Sequence, residues 1–343
     1  MKLSLNLALL AILAVTTAAK ADENRKGLAD KHAPAGLMAE HIHSRGEWMV
    51  EYKYMNMYME DNRAGTRTLS DADAIAFGAT SNPITNRGAT PTDMTMEMHM
   101  VHVMYGATDD ITLYTMLMFP SLTMDHLRGP ANPATGTFTT HNSGFGDTAF
   151  GALFRLYSDD CRDCLFNLGC SVPTGDIYRE TSIPTAGAVS QPLPFPMRLG
   201  SGTFNFRPGI TYKRFFEVWS WGAQFQTDLP IGRNYRGYSV SDEYRLNTWA
   251  SLLLTDWFAA SVRIENLWRS NFDGIDPDTP DAVISTNVEQ FRGGYWLNVG
   301  IGAQANIKGH YFNFEIVPNA TQDLDGIQLE TDFSVIASWS KAW

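Results

Sequence analysis

Side chains alternate along segment after segment of this chain, and a period of two leaves little choice of fold. Trp48, Val50, Tyr52, Tyr54 and Tyr58 share one face of the first segment, while Glu47, Glu51, Lys53, Met55, Met57 and Met59 share the other. Successive residues of an extended chain point to opposite faces, so each run is a strand with one apolar, aromatic face and one polar face. The pattern returns in Thr148, Phe150, Ala152, Phe154 and Leu156, in Phe166, Leu168, Cys170 and Val172, and in Phe204, Phe206, Ile210 and Tyr212. Near the end, Tyr295, Leu297, Val299, Ile301 and Ala303 oppose Asn298, Gly300, Gly302, Gln304 and Asn306. Strands with lipid outside and a wet lumen inside carry this pattern.

Twelve strands are predicted near 46–59, 94–106, 110–119, 146–157, 165–173, 203–213, 217–228, 243–254, 257–269, 294–306, 310–317 and 331–343. Odd-numbered connections are long and polar (60–93, 120–145, 174–202, 229–242, 270–293, 318–330), whereas even-numbered ones are tight, as at 107–109, 255–256 and 307–309. A soluble sandwich has no reason to sort its loops by parity. A single-chain outer-membrane barrel does, with long outer loops and short periplasmic turns. The predicted fold class is therefore all-β, a transmembrane antiparallel β-barrel of about 12 strands over 46–343. The last strand puts Phe333, Val335, Ala337, Trp339 and Trp343 on one face. Its aromatic end resembles the C-terminal signal read by the barrel-insertion machinery of Gram-negative bacteria, and Lys341 can snorkel at the rim.

Ahead of the barrel, Lys2, the apolar stretch 7–17 and Ala19-Lys20-Ala21 have the layout of a signal peptide, predicted over 1–21. Residues 22–45 are then an N-terminal periplasmic segment or plug. Past the signal no apolar run reaches ~18 residues, and the mean hydropathy of −0.20 is polar, so a helical membrane bundle is excluded. Without residues 1–21 the chain carries 24 Lys and Arg against 37 Asp and Glu. That balance argues against a nucleic-acid partner, because a phosphate backbone must be neutralised. The expected partners are outer-membrane lipid and a small-molecule solute.

Methionine is the feature that composition does not predict. Of 15 methionines, 12 lie between Met49 and Met124. Period two places Met55, Met57, Met59, Met94, Met96, Met98, Met100, Met104, Met116 and Met118, with His102, on the inward face of three neighbouring strands. Thioether with imidazole suits Cu(I) or Ag(I). The favoured expectation is the plainer one, that Met is an adaptable lining or filler for an apolar ligand or an N-terminal plug. His41-x-His43, beside Met38 and Glu40, can face one side of an extended segment and hold a metal, which makes His41, His43, Met96, Met98 and His102 the metal candidates. The competing expectation is that 35–44 is a short helix or plug in the periplasmic mouth. His99, His126 and His141 complete the histidines considered.

Cys161 and Cys164 form a CxxC in a predicted periplasmic turn, where a local disulfide is the simplest expectation in an oxidising compartment. Cys170 faces outward. Asp273, Asp276, Asp278 and Asp281 in one outer loop, and Asp323, Asp325 and Glu330 in another, are the acidic clusters considered for Ca²⁺. No nucleophile elbow, HExxH or kinase pattern occurs, so no enzyme and no cofactor is expected.

The stretch 143–157, SGFGDTAFGALFRLY, followed by LGCSVPTGD at 168–176, resembles the GxGDxxxGxxYR and LxLPTGD pattern of the outer-membrane proteins named for the meta-pathway of phenol degradation. Phe154 stands where that pattern has Tyr, and Val172 where it has Leu. His41-Ile-His43, Gly46-Glu-Trp-Met49 and the stretch from Ala89 to His126 are similar to a Met-rich, transporter-labelled subgroup. The resemblance implies an outer-membrane barrel that passes hydrophobic or aromatic compounds, with no catalytic residues. Asp147 should share the lumenal face with Arg155, and both read as architectural. A soft-metal-handling barrel and an adhesive barrel whose outer loops matter most are the alternatives.

Overall fold

The period-two runs become the staves of a closed barrel. The computed structural model describes residues 25–76, 88–129, 135–182, 190–279 and 284–343; the predicted signal peptide and Asp281 lie outside them. Eleven continuous strands build the wall: β1 (Trp48–Gly65), β2 (Ala89–Thr108), β3 (Ile111–Arg128), β4 (Thr148–Ser158), β5 (Arg162–Val172), β6 (Phe204–Phe215), β7 (Trp219–Ile231), β8 (Glu243–Thr255), β9 (Phe258–Arg269), β10 (Gly294–Ile307) and β11 (His310–Ala342). Each pairs antiparallel with the next in sequence, and β11 closes the ring on β1, with Ala342 opposite Met49 and Phe333 opposite Tyr58.

The 33-residue β11 does two jobs. Its first part pairs with β10 from His310 to Leu324 and its second with β1. The two arms meet each other: the Trp339 indole N–H donates to His310 Nδ1 at 3.1 Å and the Asn313 amide to the Ser338 hydroxyl at 3.2 Å. The strand therefore doubles back, with Gly326 at φ +67° allowing the reversal, and the barrel has twelve staves as expected.

Loop parity holds, and so does the direction of the faces. Phe150, Leu168, Phe206, Phe225, Ile264, Ile301 and Phe314 are exposed on the outside, as an apolar band must be to meet lipid. The strands run further outward than the apolar alternation suggests: β1 continues to Gly65, and β3 to Arg128. Backbone pairing persists there past the apolar band, and Thr137–Ser143, inside a predicted loop, adds a strand to the outer half of β3.

The expected Cys161–Cys164 disulfide is corrected: both are free thiols, as is Cys170. Cys164 already belongs to β5, opposite Tyr157 and Tyr212. Extended backbone between positions 161 and 164 separates Cα atoms by roughly 10 Å, beyond the ~7 Å a disulfide spans.

Candidate functional site

The lumen has two unlike walls. On β1, β2 and β3 the thioethers stand in register: Met55 opposite Met98, Met57 opposite Met96 and Met59 opposite Met94, with Met94 in turn opposite Met124 and Met100 opposite Met118. His102 sits between Glu51 and Met116, and its Nδ1 is 3.5 Å from Glu51 Oε2. All ten inward methionines of the sequence reading, with His102, lie on this one surface, because antiparallel pairing aligns the inward sets of neighbouring strands.

The opposite wall is ionic, and the sequence reading did not single it out. Arg263 donates to Glu315 at 2.7 Å and to Glu265 at 3.0 Å, while Arg269 lies 2.7 Å from Glu243 and Arg207 3.0 Å from Asp228. These residues alternate with lipid-facing ones on β6 to β11. Inward parity was the available signal, and the pairing of their charges across strands was not.

Residues 25–47 fill the periplasmic half of the lumen, largely in extended and turn conformation rather than as a helix. The Ala29 N–H donates to the carbonyl of Asp256 in a periplasmic turn, Leu37 and Ala33 pack on Trp249, and the Gly36 N–H donates to Glu315 at 2.6 Å. The chain turns near Met38, whose side chain packs on Met100, Met116 and Ala149 and whose carbonyl accepts from Gln224. Ala39 and Ile42 then pack on Met49, Met104, Leu153 and Leu165 as the segment returns to β1. It leaves the lumen by bonding the backbone of Gly106, where any Cβ would meet the Ser44 carbonyl. Lys53 donates to the Leu37 carbonyl at 2.7 Å, and Lys213 pairs with Glu40 at 3.3 Å.

Within the segment His41 lies between Glu40, at 2.7 Å, and His43, at 3.1 Å; His43 in turn faces Glu47 at 3.3 Å. Burial pushes the imidazoles of His41, to about 3, and of His43 down. Burial also pushes the Glu40 carboxyl up, but Lys213 and His41 more than offset it and hold it well below the usual range. The structure thus places His41 and His43 in the plug, and Met96 and Met98 on the wall strand β2.

From the outer side a loop folds inward, with Leu193, Met197 and Leu199 packed on Met94, Leu122 and Met124, and Met59 and Met96 at the edge. Asp147 ties this loop down, accepting from the backbone N–H of Gly175 at 2.9 Å and of Ser201 at 2.8 Å. Arg155 is inward too, 4.0 Å from Asp110 near a periplasmic turn. The acidic clusters meet arginines: Asp276 pairs with Arg198 and Arg236, Asp273 with Arg233, and Glu330 with Arg63. His99 is bonded to Tyr52 on the outer face, His126 stacks on Phe138, and His141 meets Thr123.

Between plug, thioethers and charges there is a narrow opening of about 70 Å³, lined by Met38, Tyr114 and Met116 on one side and Arg207, Asp228, Glu243 and Arg245 on the other.

No family model matches the chain, and no curated protein matches it. Among solved structures it is similar to the COG4313 outer membrane channel from Pseudomonas putida F1, with a TM-score of 0.60 at 12% identity, over 91% of this chain and 100% of that one. The translocator domain of autotransporter NalP from Neisseria meningitidis has a TM-score of 0.46 at 10% identity (88% of this chain, 90% of that one). The toluene transporter TodX of P. putida has a TM-score of 0.36 at 10% identity (88% and 91%). At such identity the likeness is one of fold, and the fold of this chain is that of the Gram-negative outer-membrane β-barrel.

Proposed function

We propose that the chain is a plugged outer-membrane channel for small amphipathic solutes, hydrophobic or aromatic in their apolar part. One observation carries this reading: the opening at the barrel's middle is flanked by thioethers and a tyrosine ring on one side and by paired charges on the other. A site with an apolar surface and a few convergent polar groups holds a solute that has both characters. A wide sugar or ion pore would need a continuous wet lumen. The plug and the inward outer loop must therefore shift for passage, and the plug's attachment through side-chain contacts and a few isolated backbone bonds rather than a continuous ladder suits it to do so. The resemblance of 143–176 to the phenol meta-pathway barrels supports an aromatic solute, and the aromatic-ended last strand supports delivery by the insertion machinery.

The soft-metal reading keeps one specific observation, the registered sulfur pairs of β1 and β2. Against it, Met94 and Met124 pack on Leu193 and Leu199 as apolar filler.

Refolded protein in planar bilayers and in liposomes tests the reading. Phenol or benzoate should enter liposomes faster with the protein than without it, and faster than glucose. Equal rates with and without protein for every aromatic solute would overturn it.

A further inference from the structure

One group of metal-ligating side chains stands outside both walls, within the plug. His32, Glu40 and His41 bring their ligand atoms within 4.8 Å of one another, all buried, and His43 adjoins them. His32 lies on the limb that enters the lumen and sits edge-on to His41, with ring centroids 4.3 Å apart; His41 and His43 lie on the limb that returns.

The hydrogen bonds of this group do not close by themselves. Glu40, His41, His43 and Glu47 form a chain with carboxylates at both ends and contacts of 2.7, 3.1 and 3.3 Å. Carboxylates only accept, so three contacts need three N–H hydrogens, whereas two neutral imidazoles supply two. The missing positive centre falls between His41 Nε2 and His43 Nε2. Two nitrogens on one tetrahedral Zn²⁺, each ~2.0–2.1 Å from it, are ~3.3 Å apart, close to the separation seen. With an ion there, each Nδ1–H donates to its own carboxylate, His41 to Glu40 and His43 to Glu47, the arrangement that orients metal-bound imidazoles.

We propose that His41 and His43, through their Nε2 atoms, form a two-imidazole site for one imidazole-preferring divalent cation such as Zn²⁺, which pins the returning limb of the plug. Glu40 and Glu47 act as positioning residues. The inference stands apart from the channel reading, since it concerns the plug's own residues.

Zn²⁺ is titrated into the refolded full chain and followed by calorimetry, with heat-modifiable migration confirming the barrel for each variant. One Zn²⁺ per chain is expected. His41→Ala and His43→Ala should each weaken binding at least tenfold, and Glu47→Gln ~10–100-fold. His99→Ala, on the lipid-facing side, should change nothing. Co²⁺ added to the unmutated chain should give the intense visible bands of a tetrahedral site, a readout that needs no variant. Absence of stoichiometric binding, or undiminished binding in the His41→Ala/His43→Ala double variant, overturns the proposal. Conductance is not read, so a failed channel assay leaves this result intact.

Discussion

Lys213 on β6 and Glu40 in the plug hold their charged atoms 3.3 Å apart, both buried, across 173 residues of sequence. This pair joins barrel wall to plug. Breaking one partner of a buried ion pair costs ~3–5 kcal/mol, because the other charge is left without compensation. In Lys213→Met that cost falls on docking of residues 25–47 rather than on the backbone ladder. The variant should still migrate as a heat-modifiable barrel, while its plug becomes protease-sensitive and single-channel conductance rises. A variant with wild-type conductance and protection would show that the pair does not hold the plug.

Acid should loosen the outer side. Burial pushes the Asp276 carboxyl up, but Arg236, Thr279 and Arg198 more than offset this and hold it below its ordinary value. A depressed carboxyl stabilises the fold at pH above its unfolded value, ~3.9, and the contribution fades as pH falls through the lower folded one. The contacts of Arg198 and Arg236 that hold the inward loop should thus be constant from pH 8 to about 5 and weaken below about 4. Limited proteolysis of the outer loops across that range measures it, and Asp276→Asn should show at neutral pH the cleavage that wild type shows only in acid.

Phe150 is 44% exposed on the outside of β4. If this position meets the bilayer midplane, Phe150→Arg costs ~2–4 kcal/mol. Unfolding titrations in detergent or bilayer should show that loss, whereas substitution at Tyr235, 97% exposed in an outer loop, should leave stability unchanged.

Changing Met96, Met98 and Met100 together to Leu keeps volume and apolarity and removes sulfur. The barrel should fold and the plug should dock, each exchange costing less than ~1.5 kcal/mol. Permeation of aromatic solutes is expected to persist. If wild type binds Cu(I) with measurable affinity and this variant does not, the wall is a metal surface instead of a lining.

Much of the barrel was legible because its rules are local. The alternation from Trp48 to Met59 states which side chains meet lipid, and loop length by parity states which end is outside; neither needs knowledge of distant residues. The methionine wall followed from the same parity, since neighbouring antiparallel strands bring their inward sets together. Tertiary structure alone decided what fills the lumen. Nothing near His41 announces that Lys213 will neutralise Glu40, nor that Leu193, Met197 and Leu199 will turn inward from an outer loop onto Met94 and Met124. Those contacts join residues with no shared period, selected by the burial of charge and apolar surface inside a closed barrel. The disulfide expected from Cys161 and Cys164 failed for a related reason, because pairing with β4 and β6 holds Cys164 in an extended strand.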